Sequence, residues 1–410
     1  METQKFQILN FKFQILLIWG LGGLLLLSGC KTEVPSSAVA TDTYIHTYIA
    51  PGDQTSWFIK PTDDKGCLFI GTEDNISNLL ILKINEKGGL ESKDTIKGLE
   101  MIAPIFTNLS DGGILICSGY DNGNLCKLDK NGKIVFASDF GGTKKANSYP
   151  VVMNDGTYAI ASAFSRGPGV YSNINFIKPD GKNSGQIQIS DASFGLKFKT
   201  IYTSLHRCDS AGTYYFNGWC FPNWNNSFNS KYKLFIAKQK YKGSTLIYNK
   251  TLVLDSLNKN NASSGIYQVT TKDKHLMLAE SQIDINNVNK GHIIKVDNDL
   301  NIVWQKDLRV STDGTYCNGI SECPDGNYLI IGQCAISGKS VGQPFACKMD
   351  KNGNIMWQKI YSTALSSYFS WGEQAADGTC FFAGNTSGFG QGIGLSDLFI
   401  MKTDKDGNLK

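Results

Sequence analysis

Short apolar runs alternate with turn-forming polar clusters along this chain, and the alternation itself repeats. Seven runs rich in Val, Ile, Leu, Phe and Tyr each follow a tight-turn signal: KGCLFIG from Lys65, DGGILICSG from Asp111, DGTYAIAS from Asp155, AGTYYFNG from Ala211, KDKHLMLAE from Lys272, DGNYLIIG from Asp325 and DGTCFFAG from Asp377. A lysine followed by a second turn comes after each run: Lys83, Lys127, Lys178, Lys238, Lys295, Lys348 and Lys402. Gly88, Gly132, Gly243, Gly353 and Gly407 lie five residues past their lysines, Leu300 holds that place in one copy, and the copy at Lys178 (KPDG) is two residues shorter. Asp-Gly and Asp-Lys-Asn-Gly are hairpin signals, because Asp hydrogen-bonds its own backbone and Gly accepts positive φ. The runs between them are too short for helices and use the strand vocabulary.

Each unit therefore reads as four antiparallel strands. Seven such units predict an all-β, seven-bladed β-propeller with four-stranded blades, an architecture in which radial repetition leaves only short edges. The last copy, KTDKDGNLK, supplies its turn and then stops, without the outer strand that NIMWQKIYS provides in the preceding unit. A comparable run, DTYIHTYIA from Asp42 to Ala50, stands ahead of the first unit. The expectation is that this N-terminal run is the outer strand of the last blade and closes the ring, with the propeller spanning residues 42–410.

Residues 1–29 read differently. METQKFQILNFK carries Lys5 and Lys12, and the uncharged stretch FQILLIWGLGGLLLLSGC follows. A basic start and an apolar core ending in small residues is the pattern of an export signal, although the run is nearly long enough to span a bilayer. Leu27-Ser28-Gly29-Cys30 resembles the lipobox of bacterial lipoproteins, and Lys31 and Glu33 are similar to surface-export signals of Bacteroidetes lipoproteins. That resemblance implies cleavage of residues 1–29 as a signal peptide and acylation of Cys30, with palmitate-type chains holding the protein to a membrane. Residues 30–41 would then be a lipidated cysteine and a flexible tether of about 40 Å at full extension. The implied address is the cell envelope, as an outer-membrane or cell-surface lipoprotein.

Charge is nearly balanced, with 40 basic and 36 acidic residues and no basic run, so no nucleic-acid partner is expected. Ten cysteines remain after Cys30. Cys126 and Cys347 hold a repeat position where other copies place Leu82, Ala237, Ile294 and Met401, which marks them as small core hydrophobes. A local disulfide, Cys317 with Cys323 or Cys208 with Cys220, stays open at this point. The four histidines (His46, His206, His275, His292) fall in different units, all in expected strands. Asp350-Lys-Asn-Gly353 and Asp404-Lys-Asp-Gly407 lack the ligands an EF-hand loop needs, so no metal site is expected.

The phrase KMDKNGNIMW from Lys348 to Trp357, with relatives at Asp129 and Asp297, resembles the repeats of PQQ-like (quinoprotein-type) and delta-sixty-type propellers. The resemblance covers nearly all of residues 43–410 and implies the fold. Quinone chemistry would require a calcium and cofactor cage for which no motif is present, so no cofactor is expected. Trp304 and Trp357 keep the family's outer-strand tryptophan, whereas the second unit has Phe136.

Both tight turns of a unit lie on one rim of a propeller, which leaves the longer, dissimilar segments on the other rim: 165–173, 220–232, 281–291, 335–344 and 385–397. Loops free of packing constraint concentrate binding residues, so that second rim is the expected functional face. There GWCFPNWNN brings Trp219, Phe221 and Trp224 together as a platform for a sugar or peptide. Trp57, Tyr149, Tyr316 and Trp371 near the starts of inner strands would line the channel mouth, and Arg166 would meet an anionic ligand. For every one of these aromatics, packing against a neighbouring blade is the competing reading. Two functions follow: a binding or scaffolding module for a glycan, peptide or protein, or an envelope polysaccharide hydrolase or lyase with acidic residues at the channel mouth. The oligomeric state is not legible.

Overall fold

The computed structural model describes residues 7–8, 43–49, 54–73, 78–97, 99, 101, 104–118, 124–139, 146–147, 149–166, 169–190, 199–209, 212–221, 233–242, 244–254, 266–363, 366–387 and 396–409, and every count below refers to these. Their strands form seven antiparallel sheets in a ring, a seven-bladed β-propeller. Blade 1 comprises Gln54–Pro61, Cys67–Glu73, Asn78–Ile84 and Leu90–Lys97, from the inner strand outward. Blade 2 comprises Ile105–Asn108, Ile114–Cys117, Asn124–Leu128 and Ile134–Asp139. In blade 3 a broken inner edge, Ala146–Asn147 and Val151–Val152, pairs with Tyr158–Arg166, followed by Gly169–Ile177 and Asn183–Ser190. Blade 4 is Lys199–Cys208, Thr213–Phe221, Lys233–Lys242 and Thr245–Leu254. Blade 5 is Tyr267–Thr270, Leu276–Ile283, Asn289–Val296 and Ile302–Leu308; blade 6 is Thr315–Glu322, Tyr328–Ile336, Lys339–Met349 and Ile355–Ile360.

Blade 7 combines Ser367–Gln374, Cys380–Thr386 and Asp397–Thr403 with Tyr44–Ile49 as its outer strand, so the N-terminal run does close the ring. The register is specific. Tyr44 lies opposite Lys402 as Trp357 lies opposite Lys348, although aligning the two runs end to end would have placed Ile45 there. Tyr48 consequently takes the place of Tyr361: its hydroxyl donates to the Gly88 carbonyl at 2.9 Å, as Tyr361 donates to Gly407 at 2.9 Å. A slip of one residue would turn Tyr48 to the other face of the strand. Gln7–Ile8, within the segment expected to lie outside the fold, pairs antiparallel with Tyr48 and Ile49 along the open edge of this strand.

The core is divided into seven apolar layers, one at each joint between neighbouring blades. Leu68, Ile70 and Ile81 of blade 1 meet Phe106, Ile114 and Ile116 of blade 2. The alternate residues Cys67, Phe69 and Leu80 meet Phe381, Ala383 and Ile400 of blade 7. The middle strands are buried on both faces, which is why they read as continuous apolar runs. Cys317 lies in the joint of blades 5 and 6 and Cys323 in the joint of blades 6 and 7, both with free thiols, so the disulfide left open between them is not formed. Cys208 is also free, and the Cys220 side chain lies outside the described residues.

The repeat signature has a structural cause. The Asp of the first turn accepts a backbone N–H and also meets the lysine of the third strand: Lys127 reaches Asp111 at 2.9 Å, Lys295 reaches Asp273 at 3.0 Å and Lys348 reaches Asp325 at 2.6 Å. The Lys127 ammonium, with the Gly113 N–H, holds the Asp111 carboxyl below its ordinary range. These three lysines thus pair with the turn of their own blade rather than with the Asp that follows them in sequence, whereas Lys238 reaches Asn298 and Asp299 of blade 5 and Lys402 reaches the Glu86 carbonyl of blade 1. At the second turn, the glycine has positive φ and sits under a side chain of the preceding blade, Leu68 at Gly132 and a ring at Gly88, Gly181, Gly353 and Gly407. A Cβ added at Gly353 (φ 82°) would lie 3.0 Å from Trp304, and one at Gly407 (φ 74°) 3.0 Å from Trp357. Both indole N–H groups donate to that turn, to the carbonyls of Lys351 and Lys405. Phe136 sits on Gly181 in the same manner, so the departure from tryptophan preserves the contact. Leu300 adopts φ 60° without being glycine. Its side chain is buried in the layer between blades 4 and 5, and that burial offsets a left-handed strain of about 1–2 kcal/mol.

Candidate functional site

The inner strands converge on the ring axis, and a cavity of about 580 Å³ lies among them. Each blade contributes from its inner strand or the residues flanking it: Phe58; Phe106 and Asn108; Tyr149 and Val152; His206 and Arg207; Gln268 and Lys274; Ile320 and Glu322; Trp371 and Glu373. Exposed Asn108, Asn154 and Lys274 stand at the mouth, and buried Phe58, Gln268 and Ile320 lie deeper. The mouth is therefore on the rim of the tight turns, opposite the rim expected from loop length. Three of the five segments read as long loops are strand continuations. Arg166 pairs with Gly169, Asp284 and Val288 close a tight hairpin, and Gly338 (φ 78°) turns the chain between Ile336 and Lys339. In the last two, an Asx turn and a glycine turn let the strands extend where sequence length alone suggested a loop. The central parts of 220–232 and 385–397 lie outside the described residues.

The apolar wall is aromatic. Phe58 stacks on Phe106 with ring centroids 4.6 Å apart and lies 5.3 Å from the Trp371 ring. The Trp371 indole donates to Glu373 Oε1 at 3.3 Å, and the same oxygen accepts from Asn108 at 2.8 Å. Burial raises the Glu373 carboxyl above its usual range. Glu322 accepts the Lys272 backbone N–H at 2.8 Å, and burial raises its carboxyl too. Across the mouth, Arg207 donates to the Lys274 carbonyl at 3.1 Å and to Asn298 Oδ1, with its guanidinium 4.8 Å from the Tyr215 ring. Burial pushes the Tyr149 phenol up. His206 is buried and its imidazole falls to about 3, first through burial and then through the Arg207 charge, so it stays neutral at physiological pH.

Of the residues singled out from sequence, Tyr149 and Trp371 line this cavity. Trp57 is elsewhere: its indole donates to Thr72 at 3.1 Å and it packs on the layer between blades 1 and 2. The Tyr316 hydroxyl accepts from Asn289 at 2.9 Å, which ties blade 6 to blade 5. Trp219, Phe221 and Arg166 are placed by backbone pairing alone, opposite Leu234, Lys199 and Gly169; Trp224 and Cys30 lie outside the described residues. Glu373, Phe58 and Phe106 were not singled out from sequence. The signal that would have found them is their place in the inner strand a few residues ahead of the first turn. His275, expected in a strand, immediately precedes Leu276–Ile283. Among the described residues, no three His, Cys, Asp or Glu side chains cluster as metal ligands.

No protein-family model matches this chain, and no curated protein sequence is similar to it. Solved structures are similar in fold. An ulvan lyase of the PL25 polysaccharide lyase family superposes with a TM-score of 0.51 at 8% identity, covering 88% of this chain and 94% of that one. The polysaccharide lyase Uly1 gives 0.49 at 12% identity over 87% of this chain and 91% of its own, and the propeller of Dos1 gives 0.43 at 9% over 88% and 97%. At such identities, the likeness to the PL25 lyase establishes a shared overall fold and leaves the chemistry to the residues of this chain.

Proposed function

We propose that this chain is a lipid-anchored envelope protein whose central cavity binds a carbohydrate. The observation that carries the reading is the composition of the cavity. The rings of Phe58, Phe106 and Trp371 form an apolar wall, and every other blade adds hydrogen-bonding groups around it. A concave, largely preformed site with apolar surface and a few convergent polar groups suits a ligand that is apolar on its ring faces and polar at its edges, as sugars are. The lipobox at Leu27–Cys30 supports the anchor and the envelope address. Cleavage before Cys30 would remove Gln7–Ile8 and leave blade 7 with four strands like its neighbours. The test is a glycan array with the purified protein, followed by calorimetry of Val152→Trp. Val152 is 40% exposed at the mouth, so the larger ring narrows the cavity without disturbing a blade joint. Loss of binding is expected; unchanged affinity would remove the cavity as the site.

One observation favours a second reading, cleavage of a polysaccharide. Glu322 and Glu373 bring two carboxyls raised by burial to one mouth, the environment that equips a carboxylic acid to donate a proton near neutral pH. Incubating the protein with polysaccharides and assaying new reducing ends or unsaturated products tests it. Activity that persists in both Glu322→Gln and Glu373→Gln would assign the chemistry elsewhere.

A further inference from the structure

Blade 4 departs from its neighbours where its inner strand reaches the cavity. In blades 1, 6 and 7 the inner strand carries one extra residue just after the position facing a glycine of the second strand. Ser56, Cys317 and Phe369 pair with Gly71, Gly332 and Gly384, and Trp57, Asn318 and Ser370 are the unpaired residues. In blade 4, Thr203 pairs with the corresponding Gly218, but the ladder then runs on through Ser204–Asn217 and Leu205–Phe216. This strand has one irregularity ahead of the glycine position, between Thr200 and Thr203, and a second beyond it, where the extra residue is His206, ahead of Arg207 opposite Tyr215. A bulge re-aims a side chain, and the displaced one sets an imidazole in the cavity wall.

His206 is 9% exposed, and neither ring nitrogen has a hydrogen-bond partner. Its backbone is held in place, since Thr270 donates to the His206 carbonyl at 2.8 Å. From the adjacent blade, Gln268 is 5% exposed and also lines the cavity. Its Nε2 faces Ser204 Oγ at 3.3 Å and the Leu205 carbonyl at 3.5 Å. A carbonyl only accepts, so the amide nitrogen is fixed toward blade 4, and Oε1 is left without a partner. Most charged groups of the same cavity are engaged instead: Arg207 by the Lys274 carbonyl and Asn298, Glu373 by Asn108 and Trp371, Glu322 by the Lys272 N–H and Asp209 by the Thr213 N–H, while the Lys274 side chain stands exposed at the mouth. The orphaned buried groups are thus all uncharged: one amide acceptor, one imidazole N–H and one imidazole lone pair. Buried polar groups carry a desolvation cost until a partner satisfies them, and a sugar hydroxyl both donates and accepts.

Resting on the carbohydrate reading, we infer that His206 and Gln268 are the specificity pair of the cavity and that they take hydroxyls of an uncharged sugar ring, in preference to a uronate or sulfated one. Because His206 remains neutral, its own contribution to recognition does not change between about pH 5 and 8. Removing one of these hydrogen bonds from a buried site costs on the order of tenfold in affinity.

The test is calorimetry of the whole protein against uncharged gluco-, manno-, galacto- and xylo-oligosaccharides and against oligouronates and sulfated oligosaccharides. Expected are binding of an uncharged series, a loss of about tenfold in His206→Phe and in Gln268→Leu, and an equal loss for the matching deoxy-sugar on the unaltered protein. The deoxy series needs no variant to fold. Preference for the anionic series, or full affinity in both variants and for every deoxy-sugar, overturns the specificity pair. If Val152→Trp abolishes that binding all the same, the carbohydrate site stands and only the pair is wrong. Absence of any carbohydrate binding by the unaltered protein overturns both.

Discussion

Removing the Tyr48 ring tests how the ring is closed. Tyr48 is 1% exposed and belongs to the N-terminal strand that completes blade 7. Its ring packs with Ile59, Phe69 and Phe381 in the joint of blades 7 and 1, and its hydroxyl bonds Gly88 of blade 1. Truncating a buried aromatic to alanine costs about 3–5 kcal/mol, and the hydroxyl contributes about 1 kcal/mol of its own. Tyr48→Phe isolates that second part. Tyr361→Phe is an internal control, because Tyr361 makes the same bond at the joint of blades 6 and 7, where the chain is continuous. For a protein of this size about 2 °C is lost per kcal/mol, so Tyr48→Ala is expected to melt roughly 6–10 °C lower and each Phe variant about 2 °C lower. Circular dichroism and calorimetry follow the melt, and hydrogen exchange localises it: amides of Leu398–Lys402, which pair with the N-terminal strand, should lose protection first. A Tyr48→Ala protein with an unchanged melting curve and unchanged exchange at Leu398–Lys402 would refute closure through this strand.

Further outcomes are expected elsewhere in the molecule. Gly407→Ala should destabilise by more than Gly326→Ala: both glycines have positive φ, but only at Gly407 does a Cβ meet an indole, while at Gly326 it meets open space. Equal urea midpoints would dismiss the aromatic-on-glycine contact as a stabilising feature. Stability should fall as pH drops below about 6.5, because His46 and His206 are held neutral by burial and the unfolded chain takes up their protons first. Above that pH these histidines contribute no dependence. At pH 5 the His206 share is about 2 kcal/mol, so His206→Phe should flatten the profile between pH 5 and 7, and an unaltered profile would contradict the buried neutral imidazole. Cys30→Ala should abolish incorporation of labelled fatty acid and release the protein from the membrane fraction; retention in membranes without label would exclude the lipid anchor.

Much of the fold was legible because it is written seven times. A hairpin turn is a local event, so Asp-Gly and Asp-Lys-Asn-Gly announce themselves whatever surrounds them, and Tyr44–Ile49 could be recognised as the missing strand from its resemblance to 354–362. Its register could not, because that depends on Tyr48 reaching Gly88, a residue of the neighbouring blade. Loop lengths misled for 281–291 and 335–344, since an Asx or a glycine turn lets strands continue through residues that look irregular, and for 165–173, where Arg166 and Gly169 still pair. Tyr149 and Trp371 were singled out on the strength of strand position and do line the cavity, whereas Trp57 and Tyr316, chosen by the same reasoning, bond within and between blades.

The sequence by itself determined the repeat, the blade number, the strand order and the closing strand, since each follows from local turn chemistry and apolar periodicity. Only the tertiary structure decided what the axis holds. Phe58, Trp371, His206 and Gln268 come from four blades, and no spacing along the chain records that they meet. The position of His206 depends further on a second bulge in its strand, visible only when one strand is set against its partner. A propeller brings the ends of its inner strands together at one place, and the chemistry gathered there is a property of the closed ring.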